Sequence, residues 1–240
     1  MRKLGIVAVA VASLMLMAFA VYAAEAPVGE DMKGKISISA FGGLAMPSGK
    51  LGEKFDPLAE GSTGADMKMG PDFGLTVDYF VTKEVAVGVD GSYSMMNMED
   101  QTFDVDGTPT TFEKGLKAKT MQGGVHGKYF VPTGGKVLPY LFVGVGMYNR
   151  KLELSKEFQD GLGTTESSFS DTKVGANGGV GVQYKVNEMF GVGLNGAYHM
   201  SIGKLEHDFG GTEGKQEILK DWQYMAFHAA VTYYIPMAKK

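Results

Sequence analysis

Seven polar side chains interrupt otherwise apolar or small-residue runs at alternate positions: Asp78, Asp90, His126, Lys128, Gln183, Asn195 and His199. Carboxylates, an ammonium group and imidazoles gathered away from water can act in two ways. They can line a polar passage or relay a proton, because imidazole changes charge near neutral pH. They can also simply neutralise one another, because a charge removed from water has to be paired. His199 and Ser201 are two residues apart, so on a strand they share a face. The chain has no cysteine, which excludes thiol nucleophiles, disulfides and cysteine-based zinc sites. Asp104-Val-Asp106-Gly107 offers hard oxygen atoms to Ca²⁺, but without a full binding-loop motif it reads as a solvated turn. No metal or other cofactor is expected.

The elements that would position these residues are strands. In Phe73-Gly-Leu75-Thr-Val77-Asp-Tyr79-Phe-Val81 every odd position is apolar, and Val85, Val87, Val89, Gly91, Tyr93 and Met95 continue the pattern after Thr82-Lys83-Glu84. This is the period of a β-hairpin with a tight turn. A second hairpin, from Val180 to Val186 and from Phe190 to Tyr198, superposes on the first without a gap at an offset of 105 residues. Leu75 falls on Val180, Tyr79 on Tyr184, Gly88 on Gly193 and Tyr93 on Tyr198. Four further segments, 36–46, 115–131, 137–151 and 222–235, bring the count to eight. The last is the least clean, since both its faces are partly apolar.

The connections alternate in length. The long ones are 47–69, 98–114, 152–172 and 204–220; the short ones are 82–84, 132–136 and 186–189. An antiparallel up-and-down barrel then has all its long loops at one end, with both termini at the other. Two-thirds of the 27 acidic residues lie in those long loops. An acidic rim suits contact with lipopolysaccharide through divalent cations.

Period two does not say which face points outward, and a soluble lipocalin-like barrel is the alternative. Three features favour a membrane barrel. The polar face carries Gly, Ala, Ser and Thr, which suit a narrow interior better than a soluble exterior. Charges are sparse in the strands, where a lipid-facing Lys at the midplane costs ~2–4 kcal/mol. Aromatics gather near strand ends: Tyr79, Phe80, Tyr129, Phe130, Tyr184, Phe190, Tyr233 and Tyr234 at the short-turn end, and Tyr93, Tyr148, Tyr198 and Trp222 at the other. Two interfacial aromatic girdles would look like this.

Residues 1–23 read as a secretory signal peptide. They comprise Arg2 and Lys3, an apolar run to Val21, and small residues before a cut after Ala23. Residues 24–34 would form a short periplasmic segment, 35–235 the barrel and 236–240 a tail. No later run of ~18 apolar residues offers a spanning helix, and the net charge of −4 argues against nucleic acid.

The runs Pro139-Tyr-Leu-Phe-Val-Gly-Val-Gly-Met147 and Gly178-Gly-Val-Gly-Val-Gln-Tyr184 resemble the OmpA-like outer-membrane β-barrel family, as does the eight-strand plan. The resemblance implies an all-β, eight-stranded antiparallel transmembrane barrel in the cell outer membrane. It also implies insertion by the barrel-assembly machinery, contact with outer-membrane lipids and lipopolysaccharide, and a monomer. No peptidoglycan-binding domain follows strand eight, and the last aromatic, Tyr234, precedes Ile235-Pro-Met-Ala-Lys-Lys240 instead of closing the chain. His199-Met-Ser201 with Glu213 also resembles outer-membrane lipid A deacylases, which implies a Ser nucleophile, a His base and a Glu that orients it. Here Ile202 stands where that family has Asn, and the pair has lumen parity. The chain is therefore expected to be no enzyme but a structural, surface-interaction or envelope-integrity barrel. A narrow solute channel is the first alternative and a lipid A hydrolase the second.

Overall fold

In the computed structural model, the described residues are 32–54, 65–98, 100–105, 108–112, 115–156, 159–160, 167–208, 215–219 and 222–235. The signal peptide, most of the 24–34 segment and the 236–240 tail fall outside them. Among the described residues there are twelve strands: β1 (Ile36–Ser48), β2 (Gly70–Phe80), β3 (Val85–Asn97), β4 (Gln101–Val105), β5 (Thr108–Phe112), β6 (Leu116–Phe130), β7 (Val137–Leu154), β8 (Ser168–Lys185), β9 (Phe190–Ser201), β10 (Leu205–Asp208), β11 (Lys215–Leu219) and β12 (Trp222–Ile235). Eight of them close into one antiparallel barrel, in the order β1-β2-β3-β6-β7-β8-β9-β12. β12 returns to β1 in unbroken register from Ile36↔Ile235 to Ser48↔Gln223. Closure leaves no free edge, the condition for strands to cross hydrocarbon.

The two matching hairpins turn by the same local chemistry. At the first, Val81 and Thr82 N–H both donate to Val85 O, while Thr82 Oγ1 accepts from Glu84 and Val85 N–H. At the second, Val186 and Asn187 N–H donate to Phe190 O, and Asn187 Oδ1 accepts from Met189 and Phe190 N–H. Thr82 and Asn187 are 105 positions apart. Each short polar side chain mimics a backbone acceptor, which is what such residues do in turns.

The loop end is more ordered than the sequence suggests. β7 and β8 run 18 residues each, so β8 begins at Ser168, inside the segment expected as loop 152–172. The expected loops 98–114 and 204–220 contain the β4–β5 and β10–β11 hairpins. An apolar crown including Leu51, Met67, Met96, Leu152, Phe169 and Leu205 is buried at this end. Burial there gives the strands an apolar core at the loop end.

Alternation holds along the walls. Leu75, Val89, Val125, Val143, Leu194 and Val231 point outward and exposed, as expected of a lipid face. The aromatic girdles need correction. Tyr79, Tyr129, Tyr184, Phe190, Tyr233 and Tyr198 do face outward. Phe80, Phe130 and Tyr234 instead face inward at the short-turn end, as do Tyr148 and Trp222 at the loop end. Each has the parity of the lumen face, and nearness to a strand end does not override parity. Phe80, Phe130 and Tyr140 form a floor, with ring centroids 5.2 and 5.3 Å apart along the series.

The interior glycines make this filling possible. A Cβ on Gly88 would meet the Val77 backbone and stand 2.6 Å from Asp78 Oδ1 and 2.8 Å from His126 Nε2. On Gly144 it would collide with Asn177, and on Gly181 with the Tyr140 ring. Gly127 faces outward with nothing within 4 Å of a Cβ.

Two outcomes follow. Gly88→Val overpacks the lumen and is expected to destabilise the barrel by about 1–3 kcal/mol, while Gly127→Val refolds like the parent. Heat-modifiable gel migration after refolding into detergent compares them, and equal yields would refute the packing argument. Trp222 is 1% exposed and donates to Thr120 Oγ1 at 2.9 Å inside the barrel. Its fluorescence should resist quenching by brominated lipids, whereas a girdle tryptophan would be quenched.

Candidate functional site

Among the described residues, the lumen concentrates ionisable groups away from bulk water. At its centre His126 lies between two carboxylates. Nε2 is 2.6 Å from Asp78 Oδ1 and Nδ1 is 2.8 Å from Asp90 Oδ1. Carboxylate oxygens only accept, so the doubly protonated ring is the form that has a donor for each. Lys128 Nζ donates to Asp78 Oδ2 at 2.7 Å, and Gln122 Nε2 to Asp90 Oδ2 at 2.7 Å. Two carboxylates, one ammonium and one imidazolium make a locally neutral cluster. Such balance is what a buried set of charges requires.

The strands explain the meeting. Asp78 and Gly88 are register partners on β2 and β3, and Gly88 and His126 on β3 and β6. The central glycine opens a gap through which the two side chains on either side reach each other. Four of the seven sequence-picked residues, Asp78, Asp90, His126 and Lys128, thus form one cluster. The other three sit in the same lumen with other partners. Gln183 Nε2 donates to Thr232 Oγ1, which also shares a 2.8 Å hydrogen bond with Ser39. Asn195 Oδ1 is 2.9 Å from His228 Nδ1, and His228 Nε2 is 2.8 Å from Asp72 Oδ1. His199 Nδ1 lies 3.3 Å from the Tyr148 hydroxyl, and its ring stacks on Tyr224 with centroids 4.6 Å apart.

Several lumen groups escaped the sequence reading. Asp72 shares the parity of Asp78 but lies one residue before the segment read as strand. His228 was on the less clean face of the last strand. Arg150 was the largest omission. It is fully buried at the loop end and donates from Nε and Nη2 to Asp171 at 2.8 and 2.5 Å. It also donates from Nη1 to Ser201 Oγ and Gly203 O, both at 2.9 Å. The parity of Gly144, Gly146 and Tyr148 extended by one step would have found it.

Ser201 is therefore engaged by Arg150 inside the barrel. His199 looks to Tyr148, and both residues are buried on the lumen side. Glu213 and Asp106 lie outside the described residues. Among the described residues no group of three or more His, Asp or Glu is arranged to hold a metal.

Space in the lumen is scarce. Two small cavities, about 60 and 30 Å³, share Phe41, Thr76, Lys128, Tyr140 and Asn195 as walls. Each has room for a few waters. The aromatic floor lies below them, where Lys128 and Lys185 also stand over the Tyr140 and Tyr234 rings. Arg150 and Trp222 lie above, with the guanidinium 5.7 Å from the indole centroid.

A filled, charge-paired lumen inside an apolar exterior is the arrangement of a small membrane barrel. Residues 7–234 match the family described as outer membrane protein beta-barrel domain. The chain belongs to that family. No curated protein matches it in sequence. Among solved structures it is similar to the outer membrane protein OprG from Pseudomonas aeruginosa, at 15% identity over 88% of this chain and 100% of that one, with a TM-score of 0.56. It is also similar to Neisserial surface protein A (NspA), at 16% identity over 85% and 99%, with a TM-score of 0.50. These likenesses concern the fold. This outer-membrane barrel thus shares its architecture, not a defined chemistry, with them.

Removing the central cation tests the cluster. His126→Ala leaves two carboxylates in the lumen with one ammonium, Lys128, which is bonded to Asp78. The expected loss is about 3–5 kcal/mol, the usual cost of breaking a buried ion pair from one side. Urea unfolding in lipid vesicles measures it, and a midpoint equal to the parent's would show that the cluster is not holding the walls.

Proposed function

We propose that this outer-membrane barrel is a closed structural element that works at its outer surface. It contributes to envelope integrity and to contacts made by its long acidic loops, and it carries no catalytic centre. The single observation supporting this reading is the filled lumen: among the described residues an aromatic floor, an ion cluster and a buried Arg150–Asp171 pair are stacked in series, with small cavities of about 60 and 30 Å³ between. An eight-stranded barrel has little interior to spare once side chains enter it. A diffusion channel would require moving groups that are held by mutual hydrogen bonds.

The rim carries acids from all four long loops. At this end carboxylates and divalent cations can bridge to phosphorylated lipids of the outer leaflet. Insertion by the barrel-assembly machinery and function as a monomer complete the reading.

Planar-bilayer recording with the purified protein tests it. The expected trace has no stepwise conductance under neutral salt. Reproducible unitary steps would overturn the closed-barrel reading in favour of a narrow solute channel.

A further inference from the structure

Among the described residues of the eight barrel strands, outward-facing charged side chains gather at one place. On β6 the outward series Tyr129, Val125 and Met121 ends in Lys119 and Lys117; on β7 the outward series Leu141, Val143, Val145 and Met147 ends in Asn149, Lys151 and Glu153. Lys119 pairs with Lys151 across the β6–β7 ladder, and Lys117 with Glu153. Glu153 braces the group: Lys119 Nζ lies 2.6 Å from Oε2, and Lys151 Nζ lies 3.0 Å from Oε1. Two lysines share this one carboxylate and Lys117 is its register partner, so three ammonium groups stand against one carboxylate in the patch. Beside it on β8 stand Thr172 and Ser170, register partners of Asn149 and Lys151, and Asn149 Nδ2 donates to Thr172 Oγ1 at 2.9 Å. On the opposite wall, the corresponding ends of β1, β9 and β12 carry Met46, Met200 and Met225, with the uncharged Ser48 and Gln223 beside them.

The depth of the patch identifies its surroundings. Lys119 is ten residues from Tyr129, and Lys151 ten from Leu141. At ~3.3 Å per residue and a strand tilt near 40°, ten residues rise about 25 Å, the height of a barrel's apolar band. The ammonium groups therefore emerge where acyl chains give way to headgroups, on the side of the long loops. A lysine on that surface loses little by being there, and it gains if an anion meets it.

We propose that Lys117, Lys119 and Lys151, with Asn149, Thr172 and Ser170 beside them, bind the phosphorylated sugar headgroup of an outer-leaflet glycolipid, a lipid A. The ammonium groups take a phosphate, and the hydroxyl and amide groups take sugar hydroxyls. The acyl chains lie down the wall over Met121 and Met147. The site deepens the proposed surface role and rests on the long loops facing outward. It does not depend on the lumen being closed.

The test uses the mature full-length barrel in lipopolysaccharide-free detergent, titrated with bis-phosphorylated lipid A and read by native mass spectrometry. The parent retains this lipid, and K119Q/K151Q lowers its apparent affinity at least ~10-fold. K117Q/K151Q, which keeps the Lys119–Glu153 bridge, shows a similar loss. K83Q, in the turn at the other end, binds like the parent. Dephosphorylated lipid A binds the parent at least ~10-fold more weakly, and millimolar inorganic phosphate does not displace the lipid. Heat-modifiable migration establishes that each variant is folded.

Parent-like retention by both double variants would overturn the proposal. So would equal binding of dephosphorylated lipid A, or of phosphatidylglycerol. Bilayer conductance of K119Q/K151Q is measured alongside. Steps there would count against the closed lumen and leave the lipid site standing, whereas unchanged lipid retention would count only against the site.

Discussion

The structure depends on a single constraint: a backbone in hydrocarbon has no water to bond. Each N–H and C=O must find a partner in the next strand, so the first and last strands have to meet. The β1–β12 seam does this over the full length of β1, from Ile36 to Ser48. Once the ring is closed at eight strands, its inner radius is set, and little more than side chains fits inside. The character of the lumen and the placement of glycine both descend from that closure.

A narrow interior imposes two further demands. Large groups need room, and charges need partners. Glycine meets the first: Gly88, Gly144 and Gly181 each lie where a Cβ would strike a lumen side chain. Reciprocal placement meets the second. His126 bridges Asp78 and Asp90, Lys128 completes the balance, and His228 meets Asp72. Arg150, with five donors fixed in a plane, gathers Asp171, Ser201 and two backbone carbonyls, and so ties β7, β8, β9 and the segment after β9 at one point. Polar interactions here serve cohesion across the barrel, where a soluble protein would use an apolar core.

The outside obeys a different rule. Along the acyl chains it is uniformly apolar, and polarity returns only where headgroups begin. The return is uneven around the ring. β6 and β7 bring lysines to that level, while the opposite wall brings methionines and the uncharged Ser48 and Gln223. The loop-end surface is therefore sided around the ring.

Much of this was legible in one dimension. The eight segments, their alternation of long and short connections and the lumen parity of Asp78, Asp90, His126, Lys128, Gln183, Asn195 and His199 all follow from a period of two, which is local and needs no partner to be read. The parity rule also held the answer for Phe80, Phe130, Tyr234, Tyr148 and Trp222, yet their positions near strand ends suggested an interfacial girdle. Composition could not distinguish an aromatic beside lipid from one sealing a lumen. Asp72, His228 and Arg150 were missed at the margins of segments, where the apolar signal weakens because one face no longer meets lipid. What only the tertiary structure decided is who meets whom: Asp78 with His126 across Gly88, Arg150 with Asp171 and Ser201, Lys119 with Lys151 around Glu153. Alternation assigns a side chain to a face, but its neighbours on that face depend on strand register and on closure of the ring. Both are properties of pairs of strands that no single segment contains.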